Sequence, residues 1–143
     1  MGFFFKAAMS FQQIIGEIRN TGVGCGLATS VHHRNWTIWA WKKGRPVIHG
    51  QVRTTIDAWM WLHQAVLQGY VPLQGDRQLD DVLERLHYAR IPHGIAVLTR
   101  GEMLAWLGEG KRPSHVVASC EEASEWLDRS ARRHYARSRY TAA

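Results

Sequence analysis

Three tryptophans and four cations lie together in the segment from residue 34 to residue 45. Trp36, Trp39 and Trp41 are flanked on both sides by basic residues. Indole rings stack on nucleic-acid bases and cations neutralise phosphates, and single-strand binding uses both interactions. An exposed indole in such a site contributes about 1–3 kcal/mol per stacked base. The predicted anion contacts are Arg34, Lys42, Lys43 and Arg45, and the predicted stacking residues are Trp39 and Trp41.

A second group of arginines lies at the end of the chain. No acidic residue follows Arg129, and positions 129, 133 and 137 are spaced by four residues, which places them on one helical face. Such a row neutralises phosphates with an affinity that depends on salt but little on sequence. The predicted contacts of this group are Arg129, Arg132, Arg133 and Arg137.

Each group also has a purely structural interpretation. Strand tryptophans pack well in a core, so Trp39 and Trp41 would then lie beneath a helix and residues 42–45 would form a solvated turn. The arginines would then only complement the dipole at the C-terminal end of a helix and form a solvated tail. The sequence leaves both alternatives open.

Residues that often carry catalysis or bind metals are outside recognisable motifs. The eight histidines are in neither HExxH nor CxxC contexts, so we predict no metal site. Cys120 lies at the start of a predicted helix, whose dipole lowers a thiol pKa, but Glu121 and Glu122 oppose that effect. The glycines of residues 22–26 follow a helix and lead into a strand, unlike a dinucleotide fingerprint. We therefore expect no catalytic residue and no cofactor, which favours a binding protein over an enzyme.

A unit that occurs twice near the C-terminus sets the expected fold. Residues 94–107 and 114–127 each contain an apolar run, a hydroxyl residue with Glu three positions later, and a Trp-Leu pair. We interpret each copy as a strand, a capping box and a helix. Two consecutive strand–helix units favour parallel strands. The predicted class is α+β or α/β, with one mixed sheet, an N-terminal antiparallel hairpin, a C-terminal βαβα half and helices packed on the sheet.

The hairpin is predicted from strands at 36–42 and 46–52, with Lys43-Gly44 as the turn. This register places Trp41 opposite Pro46 and Trp39 opposite Ile48. Residues 70–73 are a predicted edge strand, because proline cannot donate to a central ladder. The predicted helices cover about 11–19, 54–68, 78–89, and a segment from 120 past 131.

Composition is that of one globular domain. The chain has 143 residues, 45% of them apolar and 21% charged, with a net charge of +6. Most of the excess positive charge lies in the first 50 and the last 33 residues, which favours a basic surface. Two cysteines form no disulfide scaffold, so we predict a cytoplasmic protein. The apolar start of the chain is too short for a membrane span. The predicted domain is 1–143, with 1–9 as a candidate disordered extension and 132–143 as a basic tail.

These observations favour a small non-enzymatic accessory or regulatory protein whose basic surface binds nucleic acid or an acidic protein partner, away from membranes. One alternative is a homo-oligomeric interaction module that pairs through residues 70–73 or through an exposed tryptophan face. Another is a small ligand-binding protein or enzyme with a pocket at the carboxyl ends of parallel strands. That pocket would be bordered by Leu98, Thr99, Ala118 and Ser119.

Overall fold

Six strands form one antiparallel sheet in the order β3-β2-β1-β4-β5-β6. The computed structural model describes residues 11–29, 35–42, 44–67, 77–99, 102–108 and 114–140. The helices are α1 (Phe11–Thr21), α2 (Thr55–Leu62, continued by a π-helical turn at His63–Leu67), α3 (Arg77–Tyr88) and α4 (Cys120–His134). The strands are β1 (Gly24–Thr29), β2 (Trp36–Trp41), β3 (Ile48–Val52), β4 (His93–Val97), β5 (Met103–Leu107) and β6 (His115–Val117).

The order of elements repeats once along the chain. Each half consists of a helix, a meander of three strands and a closing helix. The halves meet at the central pair of β1 and β4, where Leu27 lies opposite Ile95. A two-fold rotation about an axis through this residue pair places Gly26 on Gly94, β2 on β5 and β3 on β6. The repeat that organises the fold is therefore the half-chain, and not the short unit found at residues 94–107 and 114–127.

The predicted mixed sheet with a C-terminal βαβα half is wrong, because residues 103–107 form a strand. Met103, Ala105 and Leu107 are buried, whereas the residues between them are half-buried, and this alternation has the period of a strand. The Leu98 N–H donates to the Glu102 carbonyl at 2.8 Å, which closes the connection between β4 and β5. All described strand pairs are antiparallel, so the class is α+β and not α/β.

The second copy of the unit contains the predicted N-cap. Ser119 Oγ accepts from the Glu122 N–H at 3.1 Å, and the Glu122 carboxylate accepts from the Ala118 N–H at 2.8 Å. The carboxylate therefore reaches one residue further back than in a standard capping box. Thr54 caps α2 in the same way, because its hydroxyl accepts from the Asp57 N–H at 3.1 Å. Four of the five predicted helices are thus confirmed, with the one expected at 54–68 divided into α2 and a π-helical turn, whereas the helix expected in the first copy of the unit is the strand β5.

The helices pack on one face of the sheet, which we call the helix face. Trp36, Ile38 and Ala40 of β2 point to this face and are buried. One hydrophobic cluster extends from Phe11 in α1 to Tyr140 after α4. The alternate residues of β2 are half-buried and point to the opposite face, which we call the open face.

The β2–β3 hairpin differs from its predicted register by one residue. Trp39 lies opposite His49, and Ile48 lies opposite Ala40.

 Successive strand residues point to opposite faces, so a shift of one residue moves every side chain of β3 to the other face. Ile48 therefore lies beside Ala40 on the helix face, and the predicted pairs Trp41–Pro46 and Trp39–Ile48 are wrong. On the open face, the neighbour of Trp39 in β3 is His49.

Candidate functional site

Three tryptophans of the open face each pack on a glycine of the neighbouring strand. A Cβ atom added to any of these glycines would overlap the Cζ2 and Cε2 atoms of the indole opposite it. The six-membered ring therefore occupies the space of the missing side chain. The pairs are Gly24–Trp41 and Gly26–Trp39 across β1 and β2, and Gly94–Trp106 across β4 and β5.

These pairs fix where the aromatic rings lie. An aromatic side chain that covers a glycine of the adjacent strand protects the bare backbone and helps to hold the strand register. The three indoles are half-buried, and one side of each ring lies against the glycine backbone, so the accessible area belongs to the rest of the ring. The result is a row of accessible indole surfaces on the two central strands.

The residues around the indoles are mainly small or apolar. None of the described strand residues that point to the open face is acidic, and the nearest acidic residue in sequence is Glu102, which immediately precedes β5. Val116 of the edge strand β6 is 58% exposed. One row of cross-strand neighbours crosses the whole sheet, namely His49, Trp39, Gly26, Ala96, Leu104 and Val116.

Two of the four predicted hairpin cations are described, and both lie in the turn that follows Trp41. Lys42 and Arg45 are exposed, and the Arg45 N–H donates to the Lys42 carbonyl at 3.0 Å. Both cations and Trp41 line a cleft of about 290 Å³ that Ala40, Ile48 and Ala65 also line, so this cleft opens at the edge of the sheet towards the helix face. The other two predicted contacts, Arg34 and Lys43, lie outside the described residues. The structure thus brings one predicted stacking residue together with two predicted cations.

The arginines of α4 lie on the other side of the sheet. Arg129, Arg132 and Arg133 are exposed on a helix that packs on β5 and β6 from the helix face. Helix α4 ends at His134, so Arg137 lies beyond it and does not continue the helical row. The described members of the two predicted groups therefore lie at opposite ends of the sheet, at the β2–β3 turn and on the helix over β5 and β6, and do not form one surface.

The segment after α4 folds back on the protein. Tyr140 is buried, and its hydroxyl donates to an Asp128 carboxylate oxygen. Arg132 Nε also binds this carboxylate at 3.2 Å, and the Arg85 guanidinium lies 4.5 Å from the centre of the Tyr140 ring. Burial opposes ionisation of Asp128, but the hydrogen bonds from Tyr140 and Arg132 outweigh it and lower the pKa of this carboxyl. The exposed Arg132 side chain is thus engaged in contacts within the protein.

The buried histidine His93 has a structural role. The Trp36 Nε1–H donates to His93 Nε2 at 2.9 Å, and His93 Nδ1 lies 2.8 Å from the Ile91 carbonyl. These two bonds are both satisfied when Nδ1 carries the proton and the ring is neutral. Burial lowers the pKa of His93 to about 4, which agrees with a neutral ring. No group of three or more candidate metal ligands occurs within the described part of the chain.

The pocket predicted at the ends of parallel strands is not formed as expected. Strand β5 separates β4 from β6, so Leu98 and Ala118 follow strands that are not neighbours. The first amide of α4, that of Cys120, donates to Gln12 Oε1 at 2.7 Å. A side chain of α1 therefore already accepts the hydrogen bond that this amide can donate. The predicted edge strand at 70–73 lies outside the described residues.

Sequence reasoning identified Trp39 and Trp41 but missed Trp106, which was assigned to a helix. It also gave no role to the glycines of β1 and β4. The available signal was the occurrence of glycine at alternate positions of residues 22–26, which lead into a predicted strand, together with tryptophan at positions 39 and 41 of the next strand. Comparison with known proteins found no matching family model, no matching curated protein and no matching solved structure. Among the described helices, none has the length and apolar character needed to cross a membrane.

Proposed function

We propose that the protein is a non-enzymatic accessory protein that binds single-stranded nucleic acid on the open face of its sheet. The observation that carries this proposal is the row of Trp41, Trp39 and Trp106, each held over a glycine with one ring surface accessible. Sheets that carry accessible aromatic rings bind single strands by stacking bases on them. The rings are already in position, so little conformational entropy is lost on binding.

Charge supports the same proposal. A base stacked on Trp41 brings its phosphates near Lys42 and Arg45, whose charges are exposed at the hairpin turn. The chain as a whole has a net charge of +6, which favours encounters with a polyanion. We assign the protein to the cytoplasm within this proposal, since Cys25 and Cys120 are both free thiols and reduced thiols are typical of that compartment.

The first test is titration of a fluorescently labelled single-stranded oligonucleotide at low salt. The double variant Trp39→Leu/Trp106→Leu retains apolar cover over Gly26 and Gly94 but removes two stacking surfaces. We expect it to weaken binding by at least tenfold, because each stacked base contributes about 1–3 kcal/mol. Unchanged affinity in this variant would exclude the open face as the binding site.

The matched control is Trp61→Leu. Trp61 also packs on a glycine, Gly50, but it does so from α2 and therefore on the helix face. This substitution removes one indole from a similar contact, so its effect on folding resembles that of either test substitution alone. We expect it to leave oligonucleotide affinity unchanged.

A second candidate function is self-association through the β6 side of the open face. Val116 is exposed there, and its neighbour in β5 is the half-buried, apolar Leu104. An uncovered apolar strip at a sheet edge favours packing against another sheet. Light scattering of the protein and of Val116→Lys distinguishes this candidate, because a charge at this position would dissociate a dimer but would leave a monomer unchanged.

A further inference from the structure

We infer that the open face holds three successive nucleotides of an extended single strand, one on each indole, with their bases unstacked from one another. This inference rests on the proposed function and adds the length and conformation of the ligand. It is carried by the spacing of the three glycines beneath the rings. Their positions are fixed by the register of β1 and β4.

The three indoles lie over three consecutive rows of the sheet. Gly24 and Gly26 are two residues apart on β1, which separates the rings of Trp41 and Trp39 by about 7 Å. Gly94 lies opposite Ala28, two residues beyond Gly26 and one strand across. Because neighbouring strands are about 4.8 Å apart, the step from Gly26 to Gly94 is about 8 Å.

These steps exclude a ligand whose bases remain stacked. Successive bases in a stacked strand are separated by about 3.4 Å along the helix axis, which is half the spacing of the rings. Bases that contact successive indoles must therefore lie apart from one another, as they do in an extended single strand. Bases within a duplex are paired as well as stacked, so a duplex presents no free base surface to the indoles.

The two ends of the indole row differ in charge, so the two end nucleotides of a bound trinucleotide should be held differently. Lys42 and Arg45 line a cleft together with Trp41, at one end of the row, whereas the described strand neighbours of Trp106 on the open face, Gly94, Ala28 and Leu104, are uncharged. The nucleotide on Trp41 therefore has two cations near its phosphates. The nucleotide on Trp106 is held mainly by stacking, and its contribution is expected to depend least on salt.

The test is a length series of unlabelled oligothymidylates from two to eight nucleotides, followed by quenching of tryptophan emission at low salt. We expect the association constant to rise by about 5- to 160-fold, which is the range for one stacked base, between two and three nucleotides. Beyond three, we expect only the small increase that comes from additional binding registers and distant phosphates.

The variant Trp106→Leu should remove the step between two and three nucleotides. Trp106→Phe should restore part of the step, because it retains an aromatic surface over Gly94, and it keeps the test valid if the leucine variant is unstable. A uniform rise of affinity up to eight nucleotides would overturn the inference and leave the proposed function intact. Equal binding of a duplex, or absence of binding by every oligonucleotide, would instead reject the proposed function itself.

Discussion

Trp39 and Trp106 occupy equivalent positions in the two halves of the protein, and each covers a glycine of the central strand next to it. Gly26, beneath Trp39, corresponds to Gly94, beneath Trp106, under the rotation that exchanges β1 with β4. The two contacts are far apart in sequence and are formed by different local sequences. Their equivalence indicates that the contact is a property of the repeated half and positions aromatic surfaces on both sides of the axis.

The glycine beneath Trp39 has no room for a side chain. Gly26→Ala adds a methyl group that overlaps the indole, so either the ring or the strand must move. We expect a loss of about 1–3 kcal/mol in the free energy of unfolding, the usual range for overpacking. Urea unfolding followed by tryptophan emission measures both this loss and the displacement of the ring.

The matched control for this prediction is Gly16→Ala in α1. Nothing lies within 4 Å of a Cβ added at Gly16, and alanine is favoured over glycine within a helix by about 0.5–1 kcal/mol. We therefore expect this variant to be more stable than the natural chain. Equal effects of the two substitutions would show that the contact with Trp39 is not tight.

Local sequence patterns predicted the helices but not the pairing of the strands. The four helices have apolar residues at helical spacing, and Ser119 and Thr54 cap two of them through contacts within four residues. Residues 103–107 were misassigned because Thr99 and Glu102 imitate a capping box and because Met, Leu and Ala favour helices. Pairing of both edges of this segment, with β4 and β6, overrides that preference.

The open face depends on pairings that a sequence pattern does not specify. Trp39 covers Gly26 only because β1 and β2 pair in one register, and a shift by one residue would place the indole over a different residue. The hairpin prediction contained such a shift. The residue types of the site were therefore visible in the sequence, whereas their arrangement follows from contacts between strands.

We expect the buried His93 to make the protein less stable in mild acid. Its pKa is about 4 in the folded protein and about 6.5 in an unfolded chain, so the unfolded chain binds the proton first as the pH falls. The stabilisation is complete above about pH 6.5 and is lost progressively as the pH falls towards 4. We expect a loss of about 3 kcal/mol from this group over that interval.

Urea unfolding at pH 7, 5.5 and 4.5 measures this dependence. His93→Gln cannot gain a proton, so its unfolding free energy should vary less with pH over this interval, although its stability at pH 7 is lower. If the variant and the natural chain lose the same free energy between pH 7 and 4.5, the protonation of His93 is not responsible.

The contact between Tyr140 and Asp128 should hold the C-terminal segment against α3 and α4. Tyr140→Phe removes a hydrogen bond to a charged group and should lower the free energy of unfolding by about 1–3 kcal/mol. The same substitution in an Asp128→Asn background should have a smaller effect, because the charged acceptor is already absent. Additive effects in this double-mutant cycle would contradict a direct interaction.

The location of the two groups of cations at opposite ends of the sheet leads to a prediction about salt dependence. Lys42→Gln/Arg45→Gln removes two charges beside Trp41, whereas Arg129→Gln/Arg133→Gln removes two charges from α4 on the helix face. Each phosphate contact with a single strand contributes about 0.7 to the slope of log K against log salt concentration. We therefore expect the hairpin variant to reduce that slope by about 1.4 and the α4 variant to leave it unchanged. Both variants remove two positive charges and differ only in the part of the surface that they alter, so a difference between them reports where the phosphates bind. The opposite result would assign phosphate binding to α4 and not to the cations that follow Trp41.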